Sequence, residues 1–148
     1  MYRHILVATD GSRASLLAVA HASALSRALS SELLVLHVVD MGLLPLGPEV
    51  AIDTHHLAAA RRTQGEALLA SGLEEARAAE VRALGRLVET DAPGQRVDGR
   101  IVQEAAAWPA DLIVLGTHGR RGPERLILGS VAEGVARRSE VPVLLVRG

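Results

Sequence analysis

"DLIVLGTHGRRGPERLILGSVAEGVARRS", Asp111 to Ser139, is the stretch on which the reading of the fold turns. "DLIVLG" is a continuous aliphatic run without polar alternation, the pattern of a strand covered on both faces. "SVAEGVARRS" has the composition of a helix, with Arg137 and Arg138 at the end where a helix is negative. Between the two stand Gly116, Gly119, Gly122 and Gly129. Glycine loses more conformational freedom on folding than any other residue, so this cluster needs a physical reason. In an open parallel sheet, ligands bind outside the carboxyl ends of the strands, and Gly116 begins at that rim. Gly116 and Gly119 bracket a tight turn where backbone can approach an anion closely or adopt positive φ. Gly129 and Ser130 open a helix whose unpaired N–H groups attract phosphate. Ser130 can aim its hydroxyl at the same point or cap the helix. The segment has no P-loop lysine, and no GxGxxG follows the first strand. Gly122 serves the path of the loop itself.

Outward from this stretch the strand–helix alternation continues. "HILVATD", His4 to Asp10, reads as a buried strand that ends in the turn "DGS". Ser12 caps a helix to about Leu29, with Leu16, Val19, Ala20 and Ala24 on one face. "ELLVLHVVD" is the second strand, "VRALGRLVET" the third and "VPVLLVR" the fifth. A long helix is expected from about Thr54 to Ala79, with Gly65 and Gly72 weakening its continuity. A shorter one, Gly99 to Trp108, is stopped by Pro109. "MGLLPLGPEV", from Met41, is a loop at the carboxyl end of strand two, and "DAPGQ" is the turn after strand three. Five strands alternating with four helices make one α/β domain over residues 1–148, a doubly wound parallel sheet.

Composition narrows the chemistry. Tyr2 and Trp108 are the only Tyr and Trp and there is no Phe, so the core is built from Leu, Val, Ile and Ala. A planar ligand must then be sandwiched by aliphatic side chains. The 16 basic and 17 acidic residues leave no excess positive charge for nucleic acid. Without cysteine there is no disulfide, no thiolate zinc site and no cysteine nucleophile. The apolar run at the N-terminus is about five residues long, against roughly 20 for a membrane span, and no targeting segment is visible. The expectation is a soluble cytoplasmic protein that engages neither membrane nor nucleic acid.

The spacing Gly116-x2-Gly119-x9-Gly129-Ser130 resembles the signature of the ATP-binding branch of the universal stress protein family. "ILVATDGS", "LLVLHVV" and the closing "PVLLV" are similar to that family in the same order, and the likeness covers essentially the whole chain. The resemblance implies a Rossmann-like sheet of the adenine nucleotide alpha hydrolase type, with strand order 3-2-1-4-5. It implies ATP, with Mg²⁺ on the phosphates, as ligand of a stress-response module with little or no turnover. A slow ATPase or autophosphorylating phosphotransferase is the alternative. It also implies a homodimer through the last strand and a regulatory protein partner. Carried over by position, Asp10 is the acidic residue after strand one, with Ala8 and Thr9 in the same turn. Val38 meets the adenine edge through its backbone, and Leu115 covers the base. Gly116 and Gly119 run along ribose and phosphates, and Gly129, Ser130, Val131 and Ala132 hold the phosphate tail. Two departures stand out: "DAPGQRVDG" replaces the Gly-Asp/Asn-Pro often seen after strand three, and Ala132 replaces an occasional hydroxyl residue.

Other residues divide between ligand and local roles. Asp10 contacts ribose or a bridging cation, or else accepts hydrogen bonds in its own turn. His118 lies within the glycine loop as a candidate nucleotide contact and has no readable activating partner for a catalytic role. Arg120 and Arg121 offer charge to phosphates or sit in solvent. His55 and His56 are neighbours on a helix start and point apart, a poor metal pair. Glu74 and Glu75 form a solvated face. Ser12 is a helix cap, because no Ser/His/Asp set accompanies it.

Overall fold

A computed structural model describes residues 1–42, 51–91, 94–118 and 128–148, with 51–54 described by their backbone alone. Strands β1 (His4–Ala8), β2 (Glu32–Val39), β3 (Leu84–Glu89), β4 (Leu112–Gly116) and β5 (Val143–Val146) alternate with helices α1 (Arg13–Leu29), α2 (Ala51–Ala78), α3 (Val97–Ala107) and α4 (Ser130–Arg138). All strand pairs are parallel, and the sheet order is β3-β2-β1-β4-β5. This is the doubly wound order expected from the resemblance.

The continuous apolar strands are explained by cover on both faces. Ile5, Val7, Leu33, Val35, Leu112 and Val114 pack with Ala18, Val19 and Ala22 of α1 and Ala76 of α2. The intervening residues, Leu6, Leu34, Leu36, Ile113 and Leu115, pack with Ile101 and Ala105 of α3 and Ala132 and Val135 of α4. Because strand side chains alternate between faces, neither set can be polar without exposing a hole in one layer.

Local signals set the element ends. Ser12 caps α1, its hydroxyl accepting the Ser15 N–H at 3.2 Å. Strand β3 begins at Leu84, three residues later than expected at Val81, because the end of α2 consumes those residues. Val81 N–H bonds Ala76 O at 3.0 Å and Glu80 N–H bonds Arg77 O at 2.9 Å, with Glu80 at φ 61°. That pair of bonds is a Schellman closure, here with glutamate in the left-handed position usually given to glycine. Helix α3 starts at Val97, two residues before the expected Gly99. Its first-turn Asp98 is buried and pairs with Arg96 and with Arg138 of α4. A side chain at Gly134 would collide with the Asp98 carboxylate, so α3 and α4 meet closely there.

Candidate functional site

The carboxyl ends of β1, β2 and β4, the face of α2 and the start of α4 enclose a cavity of about 710 Å³. It lies beside the gap between β1 and β4, where successive connections leave for opposite faces, the place ligands occupy in such sheets.

Its first wall is the turn after β1. Ala8, Thr9 and Asp10 line the cavity. Thr9 Oγ1 and Ser15 Oγ are 3.0 Å apart, and the Asp10 N–H donates to Ser15 Oγ at 3.3 Å. Asp10 Oδ1 accepts the Ser12 N–H at 2.9 Å, so Asp10 shapes its own turn as well as lining the space. Gly11 follows at φ +79°, a conformation that disfavours a side chain.

A second wall is apolar. Val38 at the end of β2 and Leu115 near the end of β4 are both buried and face the cavity beside Ile101. This is the aliphatic sandwich that a chain nearly devoid of aromatic rings must use for a planar group.

The third wall is the start of α4. Gly129 is its N-cap, with extended backbone (φ −61°, ψ 154°) and no side-chain cap. Ser130 is the first helical residue rather than the cap, and its side chain is exposed. The leading N–H groups are thus left for solvent or a ligand. Val131 and Ala132 complete this wall. The Gly129 N–H donates to Thr117 O at 2.7 Å, and the Thr117 N–H donates to Val146 O at 2.9 Å, which ties the helix start to the rim of β4 and β5.

Gly116 lines the cavity, but its lack of a side chain serves the helix packed on it. A Cβ there would lie 2.7 Å from the Ala14 carbonyl carbon and 2.9 Å from the Ser15 nitrogen. The glycine therefore admits the first turn of α1 rather than shaping a left-handed turn. His118 lines the cavity with Nδ1 3.1 Å from Thr117 Oγ1. Gly119, Arg120, Arg121 and Gly122 fall outside the described residues, as does most of the Met41–Val50 loop.

The sequence reading missed the contribution of α2. Arg61 and Gln64 line the cavity with His37 and Asp40 of β2 and its rim. Arg61 Nη1 donates to Asp40 O at 3.0 Å. One available signal was His37 itself, a polar residue in the otherwise aliphatic "LLVLHVV". The other was Gly65, which was read as a weak point in a helix. His55 and His56 are exposed, and no cluster of three metal-ligating side chains occurs among the described residues.

The family profile described as "Universal stress protein family" matches residues 1–147. A universal stress protein of Methanocaldococcus jannaschii is 33% identical, the match covering 99% of this chain and 83% of that protein. The crystal structure of a universal stress protein family member from Burkholderia pseudomallei is 31% identical, with TM-score 0.77 over 98% of this chain and 96% of that one. A universal stress protein crystallised in complex with cAMP is also 31% identical, with TM-score 0.66 over 99% of this chain and 97% of that one.

Proposed function

The chain belongs to the universal stress protein family, and from that premise we propose that its cavity binds an adenine nucleotide, with ATP as the full ligand. The observation that carries this reading is one cavity joining an aliphatic slot, Val38 and Leu115, to an uncapped helix start at Gly129 and Ser130. The slot suits a purine, and the helix start suits phosphate. A 31% identical relative in complex with cAMP supports the same ligand class. Asp10, with Ala8 and Thr9, then faces the ribose, and Val131 and Ala132 flank the phosphates beside Ser130. Gly119 and Arg120 lie outside the described residues; Gly119 is assigned to the phosphates on the family pattern, Arg120 to them by its charge, and His118 to the nucleotide as a cavity-lining residue.

A helix dipole supplies about 0.3–2 kcal/mol, whereas micromolar affinity needs about 8 kcal/mol, so base and ribose contacts contribute most of the binding. Mg²⁺ is held through one or two carboxylates together with substrate phosphates. Asp10 lines the cavity and, as the alternative to its ribose contact, would supply such a carboxylate to a bridging cation. In this reading the protein is a cytoplasmic regulatory module whose nucleotide state governs an association with a protein partner, with slow turnover at most.

Titration calorimetry with ATP, ADP, AMP and adenosine in Mg²⁺ tests the reading on wild type and Ser130→Asp. Aspartate in the first turn suits the helix but repels phosphate. ATP affinity should fall about tenfold or more while adenosine affinity and stability hold, since one kcal/mol-scale repulsion acts only on the phosphates. Absence of any nucleotide affinity in the wild type would overturn the proposal. Hydrolysis followed over hours separates a binding module from the ATPase alternative.

A further inference from the structure

Asp10 lines the cavity from a turn whose shape depends on one glycine. Its Oδ1 accepts the Ser12 N–H at 2.9 Å, so the dihedral angles of Gly11 between them decide where the carboxylate points. Gly11 stands at φ +79°. Glycine leaves that region more freely than any other residue, since it populates both signs of φ about equally. Within the turn, its N–H donates to Thr9 Oγ1 at 3.2 Å, the long end of the range for such bonds. A second restraint comes from outside the turn.

Helix α2 supplies it. Arg61, Gly65, Leu68 and Gly72 follow one another at spacings of four, three and four, a single stripe along the helix. At one end of the stripe Arg61 lines the cavity. At the other, Gly72 sits on Thr9, where a Cβ would lie 3.0 Å from Thr9 Cγ2. Between them the half-buried Leu68 covers Gly11 so closely that a Cβ on the glycine would collide with Leu68 Cδ2. Leu68 lies outside the cavity lining, so it touches the turn and not the space a ligand would fill. Thr9 takes part in the same contact. Its methyl faces α2 while its hydroxyl meets the Gly11 N–H and, at 3.0 Å, Ser15 Oγ. A β-branched side chain is stiff at χ1, so seating the methyl also aims the hydroxyl.

We propose that Leu68 is a positioning residue that holds the Asp10 turn in its binding shape by covering Gly11 from α2. The inference rests on the nucleotide reading above and adds to it a residue that acts without touching the ligand. Truncation of Leu68 uncovers Gly11 and frees its φ, and Asp10 is then presented in several orientations. A ligand that meets the carboxylate in one of them binds more weakly by the fraction of time the turn is correctly shaped.

Leu68→Ala and Asp10→Ala, singly and together, are titrated with ATP and Mg²⁺ beside Leu73→Ala. Leu73 lies further along α2 and packs on β3 away from the turn, where a Cβ at Gly85 would lie 2.7 Å from Leu73 Cδ1. Leu68→Ala should weaken ATP binding by about fivefold or more. Made in the Asp10→Ala background, the same truncation should change affinity by less than about twofold, because the group it positions is gone. Leu73→Ala removes the same atoms under the same helix and should leave ATP affinity within about twofold of wild type. A leucine that merely supported the fold would give equal losses in both backgrounds. That additivity, or unchanged affinity in Leu68→Ala, overturns the role of Leu68 and leaves the nucleotide reading standing. Failure of the wild type to bind any nucleotide overturns both. Should the double variant bind too weakly to titrate, amide hydrogen exchange in the nucleotide-free protein decides. Leu68→Ala should then speed exchange at the Gly11 and Ser12 N–H by at least about tenfold, and Leu73→Ala should not. Equal acceleration in both, or none, overturns the proposal. Leu68→Val replaces a Leu68→Ala that does not fold, with about threefold expected in each readout and the same results overturning it.

Discussion

Glu104 of α3 has a side chain only 10% exposed, set between Arg86 of β3 at 2.6 Å and Arg100 of its own helix at 2.7 Å. Burial opposes its ionisation, but hydrogen bonds and charge from the two arginines outweigh that, and the carboxyl is held below its ordinary value of 4.5. A carboxyl lowered on folding adds stability above its unfolded value, and that stability is lost as pH falls through the folded value. Glu104→Gln should therefore cost roughly 1–3 kcal/mol near neutral pH, because it leaves two guanidinium groups poorly matched. Denaturant midpoints should show the gap between variant and wild type closing as pH drops below about 4.5. A gap that is flat with pH would remove the ion pairs as its cause. At this scale the sequence was legible wherever a residue acts on its neighbours in the chain. Ser12 as a cap and Asp10 as a turn former follow from local hydrogen bonding alone. Glu104 was not singled out, because its partner Arg86 is 18 residues away and on a different element.

Helix α2 shows the limit of propensity as a guide. Gly65 and Gly72 weaken a free helix by about 1 kcal/mol each relative to alanine, yet α2 is continuous from Ala51 to Ala78. The two glycines are seven residues apart, two turns on one face, and that face lies on the sheet. A Cβ at Gly65 would lie 2.8 Å from Val39 Cγ2, and one at Gly72 would lie 3.0 Å from both Thr9 Cγ2 and Val35 Cγ1. The glycines are what let a long helix settle against β1 and β2. Gly65→Ala is thus expected to lower stability by about 1–3 kcal/mol despite its better helix propensity, since overpacking a stiff β-branched neighbour outweighs the backbone term. Thermal unfolding of the variant measures it, and a raised midpoint would show that the contact relaxes freely. Since α2 carries Arg61 and Gln64, its seat on the sheet also sets the width of the cavity. Composition alone identified this helix, whereas its contribution to the site depended on which face met β2, and that information lies in the packing.

The five-stranded sheet of the described residues ends in β3 on one side and β5 on the other, and these edges differ. Edge strand β3 carries Arg86 and Glu89, paired with Glu104 of α3 and Arg62 of α2, so charged side chains guard it. Edge strand β5 reads Val143-Leu144-Leu145-Val146, each residue half-buried in the single chain. The Ile113 N–H bonds Pro142 O and the Thr117 N–H bonds Val146 O, so Val143 and Leu145 turn their backbone groups away from β4. We propose that a second copy pairs with these groups. Wild type should then scatter light as a particle near twice 15.6 kDa. Val143→Pro deletes an outward N–H without touching the β4 ladder and should yield the monomer. A monomeric wild type would refute the pairing. No helix among the described residues is long and apolar enough to cross a membrane. The α/β alternation, the apolar strands and the glycines at the rim of β4 and α4 are legible in the order of residues alone, because periodicity, capping and backbone freedom act over a few residues. That Gly116 yields to α1 and that α2 lines the cavity emerges only once the elements are packed together. Those facts depend on surfaces meeting from distant parts of the chain, where close packing sets which atoms face each other.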